Sequence, residues 1–506
     1  MHPPHRHPIL LVLNRCKTLK HLRCIHAKLT TLGLAFLHPS PTFTKLLYTF
    51  TLLHPLPPTN SIDYALSLFH HIPSPSTFAY NLLIRARTLL SSPFQALILF
   101  ARMRRLSIPP DYHSFPFALK ACARLRSQPL GRALHSQVLK FGFATDLFVH
   151  NTLISMYASS DSMHDARSLF DEICSCDVVT YNTLIDGYVK AGNIILARKV
   201  FDKMPQRDTV SWGTLLAGYS QMRQFEEALQ LFDRMLESGS RPDDVALVSA
   251  LSCCAQLGAL DQGKVIHQYI KENRAALNVY LVTGLVDMYA KCGCIDVAAE
   301  MFESAPHKNL FTWNAIVVGL ATHGHGERSL QYFERMISLG VRPDGVSFLG
   351  VLVACSHAGL IDTARRLFDE MESVYGVARE LKHYGCMADL LGRAGLMEKA
   401  MDMIKSMPME ADAYVWGGVL GGCRIHGNVE IAEIATEHLL RLKPEDSGVY
   451  SIMAGIYANA RRWEDVARIR RVMDDRRVRK NVGCSLIEVE GTNHGFVADL
   501  NACSVN

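Results

Sequence analysis

The chain runs to 506 residues, 49% hydrophobic and 20% charged, with a formal net charge of +5. Its first 62 residues hold seven Lys or Arg and no Asp or Glu, so everything beyond them sums to −2. That balance excludes a polycation gripping nucleic acid mainly through phosphates, and the N-terminal stretch has no apolar run long enough for a membrane helix.

In chain order, residues 1–39 carry Arg6, Arg15 and Arg23 in an acid-free context, which predicts a short organellar targeting segment. It overlaps Cys16-Lys17-Thr18-Leu19-Lys20 and Ile25-His26-Ala27-Lys28-Leu29, which match Leu134-His135 and Ile266-His267 of fuller units downstream. Residues 40–76 follow as a degenerate unit, with Ala65-Leu66-Ser67-Leu68-Phe69 and Ile72-Pro73 after a Pro-rich stretch. From 77 to 480 one two-helix unit then recurs, at 77–111, 112–146, 147–177, 178–208, 209–243, 244–278, 279–309, 310–344, 345–380, 381–412, 413–446 and 447–480. Its length alternates between 31 and about 35 residues. Such a period replaces the three or four globular domains that length alone suggests. A lone helix pair cannot cover its apolar faces and must stack on its neighbours. The predicted fold is therefore all-α, a right-handed superhelical solenoid of stacked antiparallel helix pairs around a concave groove, with no strands. Residues 481–506 form a short tail.

Residues that play no part in choosing the units support the register. Position four carries a bulky knob in Tyr80, Phe115, Tyr181, Trp212, Trp313, Phe348, Tyr384, Trp416 and Tyr450. Position fifteen carries glycine in most units, where the first helix must stop in a left-handed residue. Position twenty-four repeats Phe, as in Phe201 and Phe302, with small residues such as Ala197 and Ala298 one turn earlier. Ser114, Thr180, Ser211, Thr312 and Ser347 precede the knob and are expected to cap the first helix.

Segments such as Val178-Val179-Thr180-Tyr181-Asn182-Thr183-Leu184-Ile185 onward to Asp208 resemble plant pentatricopeptide-repeat proteins, over almost the whole chain. The alternation of long and 31-residue units is similar to the subclass built from P, L and S motif triplets. On that resemblance residues 1–39 overlap a degenerate L repeat, 40–76 is a degenerate S repeat, and 77–412 is the array. Units 381–412, 413–446 and 447–480 resemble the S2, E1 and E2 motifs that end such arrays, with His383-Tyr384-Gly385-Cys386-Met387-Ala388-Asp389-Leu390-Leu391-Gly392-Arg393-Ala394-Gly395 as a signature. Residues 484–499 look like the start of the segment that leads into a deaminase domain in many relatives, with Val482-Gly483 where Pro-Gly is usual.

Two positions carry the expected function. The fifth residue lies on the first turn of the first helix and the last residue lies just before the next pair, so stacking makes them neighbours. They read Asn81 with Asp111, Asn151 with Asp177, Asn182 with Asp208, Thr283 with Asn309, and Asn314 with Asp344. Short amides, carboxylates and hydroxyls of this kind can hydrogen-bond the Watson–Crick edge of an unstacked base, one base per repeat. Long units place Pro116, Val248 and Leu349 at position five and offer a base nothing polar. By the family's recognition code each Asn–Asp pair implies uridine and Thr–Asn implies adenine, while Gly213 and Gly385 fall outside it.

Other accounts of these residues stand beside that one. Asn and Asp also cap helices, although capping alone does not explain why the long units lose the polar residue at position five. Unit 209–243 fits part of the tetratricopeptide pattern with Trp212, Leu215, Tyr219, Ala228 and Phe232, which would make a protein-binding scaffold; the alternating lengths oppose it. Arg461, Arg462, Arg468, Arg470, Arg471, Arg476, Arg477, Arg479 and Lys480 make a basic run that reads as a solvated helix face.

No catalytic residue, metal or cofactor is expected. Cys122, Cys254, Cys355 and Cys423 all fall on position eleven, where other units have Tyr, and no C-x-x-C pair exists. A zinc deaminase needs H-x-E followed by P-C-x-x-C, and the one H-x-E, His325-Gly326-Glu327, falls in a turn far from the C terminus. The resemblance implies a non-enzymatic recognition factor that binds single-stranded RNA in a mitochondrion or chloroplast. It would mark a C-to-U editing site and recruit a DYW-type deaminase in trans with other editing factors, using no membrane and no small-molecule substrate. The alternative is a binder that serves transcript stability, splicing or translation.

Overall fold

The recurring apolar positions close into helix pairs. The computed structural model describes residues 13, 16, 18–33, 39–51, 62–90, 92–173, 176–273, 277–479, 484–489 and 492–497. Among them stand 27 α-helices, from Leu19–Thr31 to Trp463–Asp475. They fall into two units: residues up to Gln224 with Arg234–Arg241, and Phe225–Asp233 with Pro242 onward.

In the first unit Thr77–Leu90 pairs with Pro93–Arg105, and Val178–Lys190 with Ile194–Asp202. First helices also pack side by side: Thr77–Leu90 on Ser114–Leu125, Leu147–Ser159 on Val178–Lys190, and Val178–Lys190 on Thr209–Gln221. The second unit repeats this arrangement with Asp244–Leu257, Val279–Lys291, Leu310–Thr322, Gly345–Ala358, Leu381–Arg393, Ala413–His426 and Ser447–Asn459. Each unit, taken by itself, is two layers of helices, one of first helices and one of second.

Aromatic side chains join consecutive pairs. The Phe of one second helix meets the position-four knob of the next pair edge-on, with centroids 4.8 Å apart for Phe201 and Trp212 and 4.7 Å for Phe302 and Trp313. Edge-to-face contact sets the rim of one ring against the negative face of the other. Trp313 is 1% exposed and Phe302 fully buried.

The turn between the two helices needs a left-handed residue, and the chain adopts one even where glycine is missing. Gly293 has φ +84°, while Arg223 and Arg126, at the same position of their own units, take φ +57° and +49°.

The structure corrects the expectation of a chain without strands. Cys484–Val489 and Thr492–Val497 form an antiparallel two-stranded sheet, registered from Cys484↔Val497 to Val489↔Thr492. Leu486, Ile487 and Val489 are apolar and β-favouring, which suits a strand. The helical period ended before this segment, so nothing in the repeat signalled it. Residues 1–12, 34–38 and 52–61 of the acid-free stretch, Val482-Gly483 and residues 498–506 lie outside the described residues. No helix among the described residues is long and apolar enough to cross a membrane.

Candidate nucleic-acid interface

The residues at helix-pair boundaries are held first by helix capping. Asp177, Asp208, Asn309 and Asp344 each occupy the N-cap of the following first helix and accept from its backbone amides. So do Asp146, Asp243 and Asn278, next to units outside the base-reading set. Capping is therefore general along the array.

Pairing is not general. Asn81 Nδ2 donates to Asp111 Oδ1 at 2.8 Å, Asn182 Nδ2 to Asp208 Oδ1 at 3.1 Å, and Asn314 Nδ2 to Asp344 Oδ1 at 3.0 Å. Asn151 and Asp177 share the hydroxyl of Thr180, 2.7 Å from an oxygen of each. Thr283 and Asn309 likewise meet through Thr312, whose Oγ1 lies 2.7 Å from Thr283 Oγ1 and 2.9 Å from Asn309 Oδ1. All five expected pairs are thus neighbours across their boundaries.

Ser and Thr before the knob do a different job from the one expected. Thr180, Ser211, Thr312 and Ser347 stand at the third helical position, after an N-cap that is the last residue of the preceding unit, whereas Ser114 opens its helix behind His113. Ser211, Thr312 and Ser347 complete capping boxes with Asp208, Asn309 and Asp344. Four hydroxyls also reach back across the boundary to residue five of the preceding unit. Ser114 Oγ donates to Asn81 Oδ1 at 2.7 Å, and Ser347 Oγ to Asn314 Oδ1 at 2.5 Å. Thr283 Oγ1 donates to Val279 O at 2.7 Å, so Thr312 supplies the proton in the contact between the two hydroxyls. The fifth, Ser211, turns to the oxygens of Asp208 instead.

The carboxyls are anionic near neutral pH. Burial alone would raise Asp111 and Asp344. For Asp111 the Asn81 amide, the Ser114 hydroxyl and the amides of Ser114 and His113 outweigh it and hold the group below its ordinary range. The same balance, with Asn314, Ser347 and Val346 as donors, lowers Asp344. Those donors converge on Oδ1 in both residues, which leaves Oδ2 as the acceptor a ligand can use.

A row of exposed apolar residues stands at position two and was not picked out from sequence. The first unit shows Phe78, Phe148, Val179 and Val210; the second shows Val245, Tyr280, Phe311, Val346 and Tyr414, all between 40% and 70% exposed. Flat or branched apolar groups beside a polar pair suit stacking against bases. The signal was present as apolar residues that fall outside the core positions.

Elsewhere the structure offers little chemistry. Cys122, Cys254, Cys355 and Cys423 are fully buried, and burial pushes the Cys122 thiol up to about 12. His325 sits at the N-cap position of the helix Gly326–Ser338, in an exposed turn and without a side-chain capping bond, and no group of three or more His, Cys, Asp or Glu that could hold a metal occurs among the described residues. Within the basic run Arg462 pairs with Glu433 and Asp465, and Arg468 with Asp465.

Known proteins share these features. Family models described as PPR repeat match residues 148–178, 172–205, 311–341, 346–374 and 382–410; one described as PPR repeat family matches 207–256, and one described as E motif matches 426–488. The chain is 50% identical over 488 residues to Pentatricopeptide repeat-containing protein At5g61800 of Arabidopsis thaliana, covering 94% of this chain and 98% of that one. It is 44% identical to At2g22410, mitochondrial, over 83% of this chain and 61% of the relative, and 37% identical to At1g08070, chloroplastic, over 97% and 80%, both also pentatricopeptide repeat-containing proteins of Arabidopsis thaliana. The crystal structure of the pentatricopeptide repeat protein PPR10 from maize matches the fold with a TM-score of 0.56 at 17% identity, over 94% of this chain and 84% of that one. Identity across nearly the full length of a relative, on a stack of helix pairs with this register, leaves one assignment: the chain belongs to the pentatricopeptide-repeat family and carries its E motif.

Proposed function

We propose that the protein binds single-stranded RNA in a plant organelle, one base per helix pair, and marks a site for C-to-U editing by a deaminase supplied in trans. The observation that carries the reading is the recurrence of the amide–carboxylate pair, with one carboxylate oxygen left open, beside exposed apolar platforms. An amide N–H and a carboxylate oxygen match the O and N3–H of uracil, whereas cytosine presents an acceptor at N3.

Units 77–412 are the reading array, built of P, L and S motifs, and 413–480 are the E1 and E2 motifs. The RNA runs parallel to the chain. Uridine then lies opposite 77–111, 147–177, 178–208 and 310–344 and adenine opposite 279–309, giving 5′-U-N-U-U-N-N-A-U-N-N. The edited cytidine lies about four nucleotides past the base under 381–412, a spacing the family implies. The match of the E motif to residues 426–488 favours editing over simple transcript binding. Relatives named mitochondrial and chloroplastic support an organellar location.

The test is sequencing of mitochondrial and chloroplast transcripts from plants with and without the protein, scored for every C-to-U position. Loss of one or a few edits preceded by the pattern above is the expected result. Persistence of all edits together with altered transcript ends or introns would point to RNA binding without editing.

A further inference from the structure

We propose that the Ser or Thr at the third position of the following helix pair is a positioning residue for base choice. Its hydroxyl latches the amide of residue five, and Asn182, which lacks the latch, discriminates uracil from cytosine less sharply. This inference rests on the base-reading account above.

The latch follows from proton counting. At neutral pH a carboxamide donates only through Nδ2 and accepts only through Oδ1. At Asn314 both ends are engaged: Nδ2 donates to Asp344 and Oδ1 accepts from Ser347. The hydroxyl of Ser347 has one proton and two acceptors, and Asn314 Oδ1 at 2.5 Å is nearer than Asp344 Oδ1 at 3.1 Å. Rotating the amide would place N–H against the hydroxyl and oxygen against an anionic carboxylate. Asn314 therefore shows a base only its second N–H, which meets uracil with the carboxylate accepting from N3–H. Asn81 is held in the same way by Ser114.

Asn182 departs from this pattern. Ser211 Oγ donates to Asp208 and not to Asn182, and Asn182 Oδ1 is buried without a hydrogen-bond partner. A buried acceptor without a donor favours any arrangement that supplies one. That oxygen is buried, so a base reaches it only if the amide turns; the N4 amino group of cytosine is then a donor for it, whereas the edge of uracil meeting a latched amide brings none. Rotation sets Oδ1 toward the carboxylate at either residue, but at Asn182 it gives up no hydroxyl bond and breaks only a 3.1 Å bond to Asp208, the longest of the three amide–carboxylate bonds.

The experiment measures binding of the full-length protein to synthetic RNA carrying the pattern above, with U or C under 310–344, under 147–177, or under 178–208. Wild type is expected to prefer U over C about tenfold under 310–344 and 147–177, the ratio of one lost hydrogen bond, and to show a clearly smaller ratio under 178–208. Ser347→Ala should lower the ratio under 310–344 to about that under 178–208 and leave that under 147–177 unchanged, while Ser347→Thr keeps it. The wild-type comparison between positions needs no variant, so a poorly folding S347A protein does not blunt the test. Equal discrimination under Asn182 and Asn314, or an undiminished ratio in S347A, overturns the latch. Absence of base preference at every position, 147–177 included, overturns base reading itself and the latch with it.

Discussion

Asn314 and Asp344 are joined across a helix-pair boundary by a 3.0 Å hydrogen bond, and the same oxygen of Asp344 caps the next helix by accepting from Val346 and Ser347 at 3.0 Å each. One carboxylate thus caps the helix through Oδ1 and, on the proposed reading, is left to meet a base through Oδ2. By residue type alone, capping and base reading are rival accounts of these Asn and Asp side chains. The geometry makes them compatible.

Caps with and without an amide partner separate the two roles. Asp146 caps Leu147–Ser159, and its unit has Pro116 at position five. Asp146→Ala and Asp344→Ala should each cost about 1 kcal/mol of stability, the usual worth of an N-cap. Only Asp344→Ala should weaken binding to the uridine-patterned RNA. Chemical denaturation and filter binding on both variants check this.

Buried histidines make stability depend on pH. His383 is fully buried and His267 is 5% exposed, and burial lowers both below the ordinary value of 6.5. The unfolded chain binds protons at these sites more readily than the native one, so stability is lost as pH falls below about 6.5. The melting temperature should drop between pH 7 and 5. His267→Phe, which gives up the 2.8 Å contact with Tyr289, should flatten that drop.

Glycines on one helix have opposite consequences. A Cβ on Gly422 would lie 2.4 Å from the Cα of Gly392, where two backbones meet, whereas one on Gly421 would have nothing within 4 Å. Gly422→Ala should cost about 1–3 kcal/mol through overpacking. Gly421→Ala should gain up to about 1 kcal/mol from helix propensity. Thermal melts of the two variants give the comparison.

Arg223 occupies the turn position that glycine fills in other units and bears φ +57°. Arg223→Gly should stabilise the protein by up to about 1 kcal/mol, because a left-handed backbone costs a residue with a Cβ more than it costs glycine. A denaturation midpoint that stays put or falls would contradict this.

The helix pairs were legible because their signals repeat. A knob such as Trp313 and its partner Phe302 recur at fixed offsets, and so do the polar residues at positions five and last. The proximity of Asn81 to Asp111 followed from stacking alone. What each hydroxyl bonds did not follow, because Ser114 and Ser211 occupy the same register position and turn to different acceptors. The exposed platform Phe311 was hidden by its apolar character, which the repeat pattern assigns to core. The hairpin Cys484–Val489 with Thr492–Val497 lies past the last repeat, where no period exists to read.

The most direct measurement is a matched exchange of side chains and base. Full-length wild type and a variant carrying Asn314→Thr and Asp344→Asn would be titrated with RNA bearing U or A under unit 310–344. The account predicts that wild type prefers U and the variant A, with the preference under the other units unchanged. If both proteins bind the two RNAs alike, these side chains do not read the base.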